Sequence, residues 1–446
     1  MSKNVVFWVG VKNEQYSEKY GGWEWMDISR KTWEYWCKKH DVVFFPFEKP
    51  INDNLVNYRI NWQKSIYCFD LLDEAGIDYD QIFLADATCM VKWDMPNVFE
   101  LTDNKFTAWR ETDNLNWVYD SVKGYEDFFS YELNKYDYFS SGVIIFNKSH
   151  KDIFLKFKDL YLNNTEEFVE LQDKIVRKGT EQTPLNYWVQ KNGVELNLDL
   201  PFSYKLTHIH RKDMFKPNWQ LKEDSTPFFI KYGYNWVFNG IPKNQRTEVM
   251  KQVWEMVRHN YDENHILNKL VHKDEWCKTT SRKFKEDILR IFNQSKNMVC
   301  LELGSCRGDT TRVFAECFKE VHSFERADEN IEYIKKKCSD VQNVNYNSSD
   351  VYSSDFEIPH ADVAFVDAGH TTELVQFDIK RLLESNENMI LIFDDYGQSD
   401  ESIKTAISNT GVDISRHIGE YNGFTCTNMS GKEIKFVGRE GVICNL

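Results

Sequence analysis

The carboxylates that close several apolar runs are the residues of this chain best placed to do chemistry. Asp362-Val363-Ala364-Phe365-Val366-Asp367-Ala368-Gly369-His370 and Met389-Ile390-Leu391-Ile392-Phe393-Asp394-Asp395-Tyr396 each read as a buried strand ending in acid. In a parallel sheet two such ends share the edge at which ligands bind, so Asp367, Asp394 and Asp395 are expected to converge. Three hard oxygen ligands suit Mg2+, which keeps further positions for water or a substrate hydroxyl. Such an ion would lower the pKa of that hydroxyl. His370, three residues beyond Asp367, is the expected general base, because an imidazole exchanges a proton near neutral pH. Capping of the next helix is its alternative role.

A second group precedes these. The strand Met298–Leu301 runs into Glu302-Leu303-Gly304-Ser305-Cys306-Arg307-Gly308, and a helix-period stretch, Thr310 to Lys319, follows. Strand, glycine turn and helix let a backbone approach a ligand at a helix N-terminus, with Gly304 and Gly308 supplying the missing side chains. About twenty residues on, Val321–Glu325 is a strand ending in a carboxylate that can accept both hydroxyls of a ribose. No pyrophosphate-binding GxGxxG is present, so adenosine without a diphosphate fits better than a dinucleotide.

This segment resembles motifs one and two of the class I S-adenosylmethionine (SAM)-dependent methyltransferases. The resemblance implies that Glu302, Gly304 and Gly308 flank the methionine moiety, that Ser305 is cofactor-binding with them and that Glu325 holds the ribose. It also implies that Asp350, in Asn347-Ser348-Ser349-Asp350, lies near the adenine. With the acidic strand ends, the region resembles the metal-dependent sugar O-methyltransferases of macrolide tailoring, in which Asp367 and His370 would be catalytic. The Asp-Gly-x-His signature of the wider group reads Asp367-Ala368-Gly369-His370 here.

The first half carries its own series. Tyr79–Thr88 is an apolar strand ending in Asp86, downstream of a helix-like Asn61–Ala75. Tyr136–Asn147 is a strand preceded by a small-residue turn, and Gly179-Thr180-Glu181-Gln182-Thr183-Pro184-Leu185-Asn186 opens a helix. In this order they resemble the GT-A glycosyltransferases of the glycogenin-like type. The resemblance implies a nucleotide-sugar donor, Mn2+ or Mg2+ held at Asp86, Gln182 at the reaction centre, and Arg59, Gln63 and Lys64 as donor contacts. A diphosphate leaving group needs neutralisation, which a metal or a lysine can supply. Thr88 stands where the family has a second Asp, and no His-x-x-Gly follows. The nearest stretches are His208-Ile209-His210 and Lys231-Tyr232-Gly233, and Lys231 could neutralise phosphate as a point charge.

The elements that must position these groups alternate between strand and helix patterns throughout, so α/β architecture is expected in both halves. The expected fold is an N-terminal GT-A (nucleotide-diphospho-sugar transferase) fold plus a C-terminal Rossmann-like methyltransferase fold. At 446 residues the chain exceeds one core. The expected division is 1–245, a helical connector 246–296 containing His272-Lys273-Asp274-Glu275, and 297–446. Net charge is −15 with no basic block, which argues against a nucleic-acid partner. No apolar run reaches the ~18 residues a membrane span needs. Ten cysteines lie at irregular spacing without a CxxC pair, and the start does not read as a signal peptide. A cytoplasmic enzyme acting on a glycan or glycolipid acceptor is therefore expected, joining sugar transfer to O-methylation. The alternative is a methyltransferase whose first half only binds glycan or nucleotide sugar.

Overall fold

A computed structural model describes residues 3–12, 21–111, 115–176, 180–210, 227–242, 245–273, 275–399, 401–420, 425–427, 433–435 and 437–446. The chain divides into two compact units, one ending at Tyr261 and one running from Asp262 to Leu446. The expected connector is thus no separate piece. Its helix Arg246–Val257 buries Met250, Val253 and Val257 in the first unit, and its helix Arg282–Ile291 buries Phe284 and Ile288 in the second. Each helix carries an apolar face, and a face of that kind must be covered by a core.

The first unit is built on a mixed sheet of β1 (Lys3–Val9), β2 (Val43–Phe47), β3 (Tyr79–Asp86), β5 (Phe106–Arg110), β6 (Phe139–Asn147) and β7 (Leu196–Asn197), in the spatial order β2-β1-β3-β6-β5-β7. β4 (Cys89–Val91) pairs with β8 (Asn235–Val237) in a separate ribbon. β1, β2 and β3 run parallel, and β6 is antiparallel to β3. Alternate residues of β1 feed opposite cores: Val5, Phe7 and Val9 one, Val6 and Trp8 the other. Helices cover both faces, which explains why β1 reads as a continuous apolar run rather than an alternating one.

The second unit holds β9 (Val299–Leu303), β10 (Glu320–Glu325), β11 (Val344–Ser348), β12 (Val363–Val366), β13 (Ile390–Phe393), β14 (Ile414–Ile418) and β17 (Gly441–Cys444), with a small hairpin of β15 (Thr425–Thr427) and β16 (Glu433–Lys435). The spatial order is β11-β10-β9-β12-β13-β17-β14, parallel except for β17, which is antiparallel to both neighbours. The order reverses between β10-β9 and β12, and the carboxyl ends of the strands at such a switch point border a crevice. The architecture is α/β in both units. Among the described residues no helix is long and apolar enough to cross a membrane.

Candidate functional sites

In the second unit, the carboxyl ends of β9, β10, β12 and β13 border one cavity of about 850 Å³. Gly304, Cys306, Glu325, Asp350, Asp367, His370, Asp394 and Asp395 line it. Gly304 has φ +88, and a Cβ there would lie 2.5 Å from the Asp367 carbonyl oxygen, so only glycine fits where the two strand ends touch. Glu325 accepts from the backbone N–H of Cys306 at 2.8 Å and of Ala327 at 2.9 Å, one on each oxygen. A carboxylate oxygen has more than one acceptor site, so both oxygens can still take a ribose hydroxyl. Asp350 accepts from the Tyr352 N–H at 3.0 Å and sits on the cavity wall.

The other turn residues have different duties. Gly308 (φ +78) precedes the helix Asp309–Cys317. A Cβ there would press on the Ile334 backbone at 2.9 Å, so this glycine serves the packing of two helices. The Ser305 hydroxyl is engaged with Ser323 and with the Phe324 carbonyl, locking the turn to β10. Glu302 is fully buried beneath the turn and accepts from Thr311 Oγ1 at 2.6 Å. Burial, opposed by hydroxyls of Thr311, Ser323 and Ser305, pushes its carboxyl up to about 7. A turn that only glycine can form, beside the Glu325 carboxylate with acceptor sites to spare, fits a cofactor carrying hydrogen-bond donors.

That raised carboxyl has a measurable consequence. The unfolded chain releases the Glu302 proton near the ordinary value, about 4.5, and the folded chain only near 7. Its contribution to stability is therefore most favourable below the lower value, falls as pH rises through the window, and stays low above it. Glu302→Gln removes the penalty, which is worth about 3 kcal/mol at most. The variant should melt higher than the parent at pH 8, with the difference closing at pH 4.5. A constant difference in melting temperature across that range would exclude this account.

The acidic strand ends come together differently from the expected trio. Asp367, His370 and Asp395 bring ligand atoms within 4.8 Å of one another, with His370 Nδ1 3.5 Å from the Asp395 carboxylate. Asp394 instead turns to Lys273, whose ammonium lies 2.7 Å from Asp394, 2.9 Å from Asp395 and 3.4 Å from Glu440. Burial alone would push the Lys273 ammonium down, but Asp394, Asp395 and Glu440 hold it well above the usual lysine range. Asp367 is pushed up by burial and then by the Asp395 charge. A cation would relieve that repulsion, so Asp367 and Asp395, beside His370, fit a divalent ion. His370 does not cap the next helix. Thr371 is the N-cap, and its hydroxyl accepts from the Leu374 N–H. Gly369 is needed because a side chain there would meet the Tyr352 hydroxyl, which donates to the buried Asp378.

Lys273, Glu440, Tyr352 and Gln398 border or brace this site without any local sequence signal. Lys273 lies in a polar stretch that reads as connector, and Glu440 lies at the opposite end of the unit.

In the first unit, Asp86 at the end of β3 receives the Lys64 ammonium at 2.8 Å. Lys64 also donates to the Ser141 carbonyl at 3.1 Å and lies 3.3 Å from Glu181. Gln182 opens the helix Gln182–Lys191, and its side-chain oxygen accepts from the Ser141 N–H at 3.1 Å. Asp86, Lys64, Glu181 and Gln182 thus surround the small-residue turn of β6, where a Cβ on Gly142 would lie 3.1 Å from an Asp86 oxygen. Gln63 faces elsewhere, bound to the backbone of Ile51, Asn52 and Tyr58, so it pins a loop. Arg59 pairs with Asp173 at 2.6 Å. The Thr88 hydroxyl is buried without a partner. A divalent ion does not fit Asp86 as it stands, because its one carboxylate is already neutralised by Lys64 and Thr88 brings no charge. Among the described residues, no group of three metal-ligating side chains occurs in this unit. Lys231 lies in the short helix Phe228–Tyr232, and the side chains of His208 and His210 fall outside the described residues.

Residues 301–396 match the model of a methyltransferase domain family. No curated protein matches the chain. Among solved structures, a tRNA methyltransferase from Aquifex aeolicus is 19% identical over 41% of this chain and 74% of that one, with a TM-score of 0.30. A glycosyltransferase involved in the glycosylation of the major capsid of PBCV-1 is 11% identical over 56% of this chain and 99% of that one, with a TM-score of 0.34. Both scores are too low to carry shared function.

Proposed function

With a methyltransferase domain as the premise, we propose that the second unit methylates a sugar hydroxyl from SAM and that the first transfers a sugar from a nucleotide donor. The observation that carries the methyl-transfer half is a single cavity bordered by the glycine turn, Glu325 and the Asp367–His370–Asp395 cluster. Glu325 accepts the ribose hydroxyls, Asp350 faces the adenine, and Gly304 opens the floor between them. Bound SAM supplies an electrophilic methyl group on a sulfonium. His370, oriented through Nδ1 by Asp395, takes the hydroxyl proton as the oxygen bonds to the methyl group and the methyl–sulfur bond breaks. Asp367 and Asp395 would hold a divalent cation, which when bound lowers the pKa of a coordinated hydroxyl. The sugar as substrate class rests on the resemblance to the metal-dependent sugar O-methyltransferases.

For the first unit, the reading is supported by the order of its motifs and by the grouping of Asp86, Lys64, Glu181 and Gln182 at one strand edge. In that transfer the bond from the sugar carbon to the diphosphate breaks, a bond to the acceptor oxygen forms, and the acceptor proton passes to solvent. Lys64, shared between Asp86 and Glu181, lowers the negative charge that would repel the diphosphate.

The test uses the full chain against a panel of nucleotide sugars, with and without Mn2+, alongside calorimetric titration with S-adenosylhomocysteine (SAH). Nucleoside diphosphate released from one donor, and lost in Asp86→Ala, supports the pair of activities. No release, with SAH still bound, would sink the bifunctional reading and leave a methyltransferase with a recognition domain.

A further inference from the structure

Two features around Asp395 are not required by methyl transfer as such. Asp395 is a non-glycine residue with φ +59, a conformation L side chains adopt only when their surroundings hold them there. The side chain that meets it is Lys273, 2% exposed, brought in by a segment upstream of the whole sheet. That segment is tied down along its length. The Val271 N–H donates to Asp309 at 2.9 Å, His272 meets the Leu267 carbonyl at 2.8 Å, and the Lys273 N–H donates to the Thr280 carbonyl at 3.2 Å. At its end, Ser281 binds Glu440 through its N–H and its hydroxyl, and Glu440, wholly buried, faces Lys273 in turn. Asp394 gives one oxygen to Lys273 and keeps the other buried without a partner.

We propose that Lys273 is a positioning residue and the resident counter-ion of the acidic cluster, holding Asp395 toward His370 and withdrawing Asp394 from the ligands of a divalent cation. The inference rests on the methyl-transfer reading of the cavity. Four carboxylates, Asp367, Asp394, Asp395 and Glu440, meet in this region. Lys273, in contact with three of them, and the buried Lys285, which acts on Asp394 and Glu440, reduce their repulsion and leave one place, at Asp367 and Asp395 beside His370, for a single cation. Asp394 and Asp395 are adjacent and chemically alike. What separates them is the left-handed turn at Asp395, which directs one oxygen to Lys273 and the other to His370.

The test is Mn2+ affinity of the full chain, read by electron paramagnetic resonance, with SAH titration as the control for an intact site. Asp367→Asn should weaken Mn2+ binding by about tenfold or more, whereas Asp394→Asn should leave it within a few-fold of the parent. Lys273→Met frees Asp394 and removes a positive charge beside the site, so by Coulomb's law Mn2+ should bind about tenfold more tightly or more while SAH affinity holds. A merely structural lysine would lower the melting temperature without tightening Mn2+ binding. Tenfold weakening in Asp394→Asn, unchanged Mn2+ affinity in Lys273→Met, or no Mn2+ binding by parent and variants alike would overturn the assignment. If Lys273→Met does not fold, the contrast between Asp367→Asn and Asp394→Asn decides alone. Failure of the parent chain to bind SAH would sink the methyl-transfer reading itself, and this inference with it.

Discussion

Gly304→Ala should weaken SAH binding by roughly 100-fold, close to 3 kcal/mol, in calorimetric titration of the full chain. Two effects act on the same atom. At φ +88 a side chain is strained whatever the space around it, and the added methyl would lie 2.5 Å from the Asp367 carbonyl oxygen. Relief requires the carboxyl ends of β9 and β12 to part, and those ends form the floor between Glu325 and Asp367. Gly308→Ala is the control. Its clash is with Ile334, between helices, so it should lower the melting temperature and change SAH affinity far less. Equal loss of SAH affinity in the two variants would show that the turn acts through stability and that its contact with the cofactor does not matter.

In the first unit the largest effect should come from Lys64→Met, which is expected to destabilise it by about 3–5 kcal/mol. The ammonium has three donors and meets three acceptors: Asp86 at 2.8 Å, the Ser141 carbonyl at 3.1 Å and Glu181 at 3.3 Å. Burial would push this lysine down, yet the Asp86 and Glu181 carboxylates hold it above its ordinary value, so it stays charged. Methionine matches the length but leaves Glu181 fully buried beside Asp86 with no cation between them. Urea unfolding of the full chain, followed through the tryptophans of the first unit, gives the measurement. Adding Glu181→Gln to Lys64→Met should recover part of the loss, because one of the two stranded charges is gone. A single variant as stable as the parent would mean that the pair is worth little and that the buried network does not organise the site.

The contrast between the two units is one of charge placement. Each has a lysine, Lys64 or Lys273, no more than 2% exposed beside the end of a central strand, paired with a carboxylate that the sequence suggests as a metal ligand. In the first unit the lysine neutralises the only carboxylate of the motif. In the second it takes Asp394 and one oxygen of Asp395, leaving a cluster able to accept a cation.

Much of this was legible in the sequence because it depends on local order. Strand, turn and helix from Met298 onward, the acid closing each of β3, β10 and β12, and the alternation of strand and helix are all properties of short windows. Short windows determine hydrophobic period and backbone freedom. Gly304 could be read as a position of close approach for the same reason. What the sequence could not supply was the partner of each charged group. Ser305 and Gly308 look equivalent to Gly304 within the motif, and only packing against Ser323 and Ile334 assigns them to the turn and to the helix interface. Asp394 and Asp395 are neighbours of the same chemistry, and a left-handed turn met by a lysine 121 and 122 residues away decides which of them faces His370. Long-range ion pairing has no periodicity to betray it. The sequence by itself determined which strands carry acid to the ligand edge, and the tertiary structure alone decided which of those acids are already neutralised, because that depends on where two distant lysines are buried.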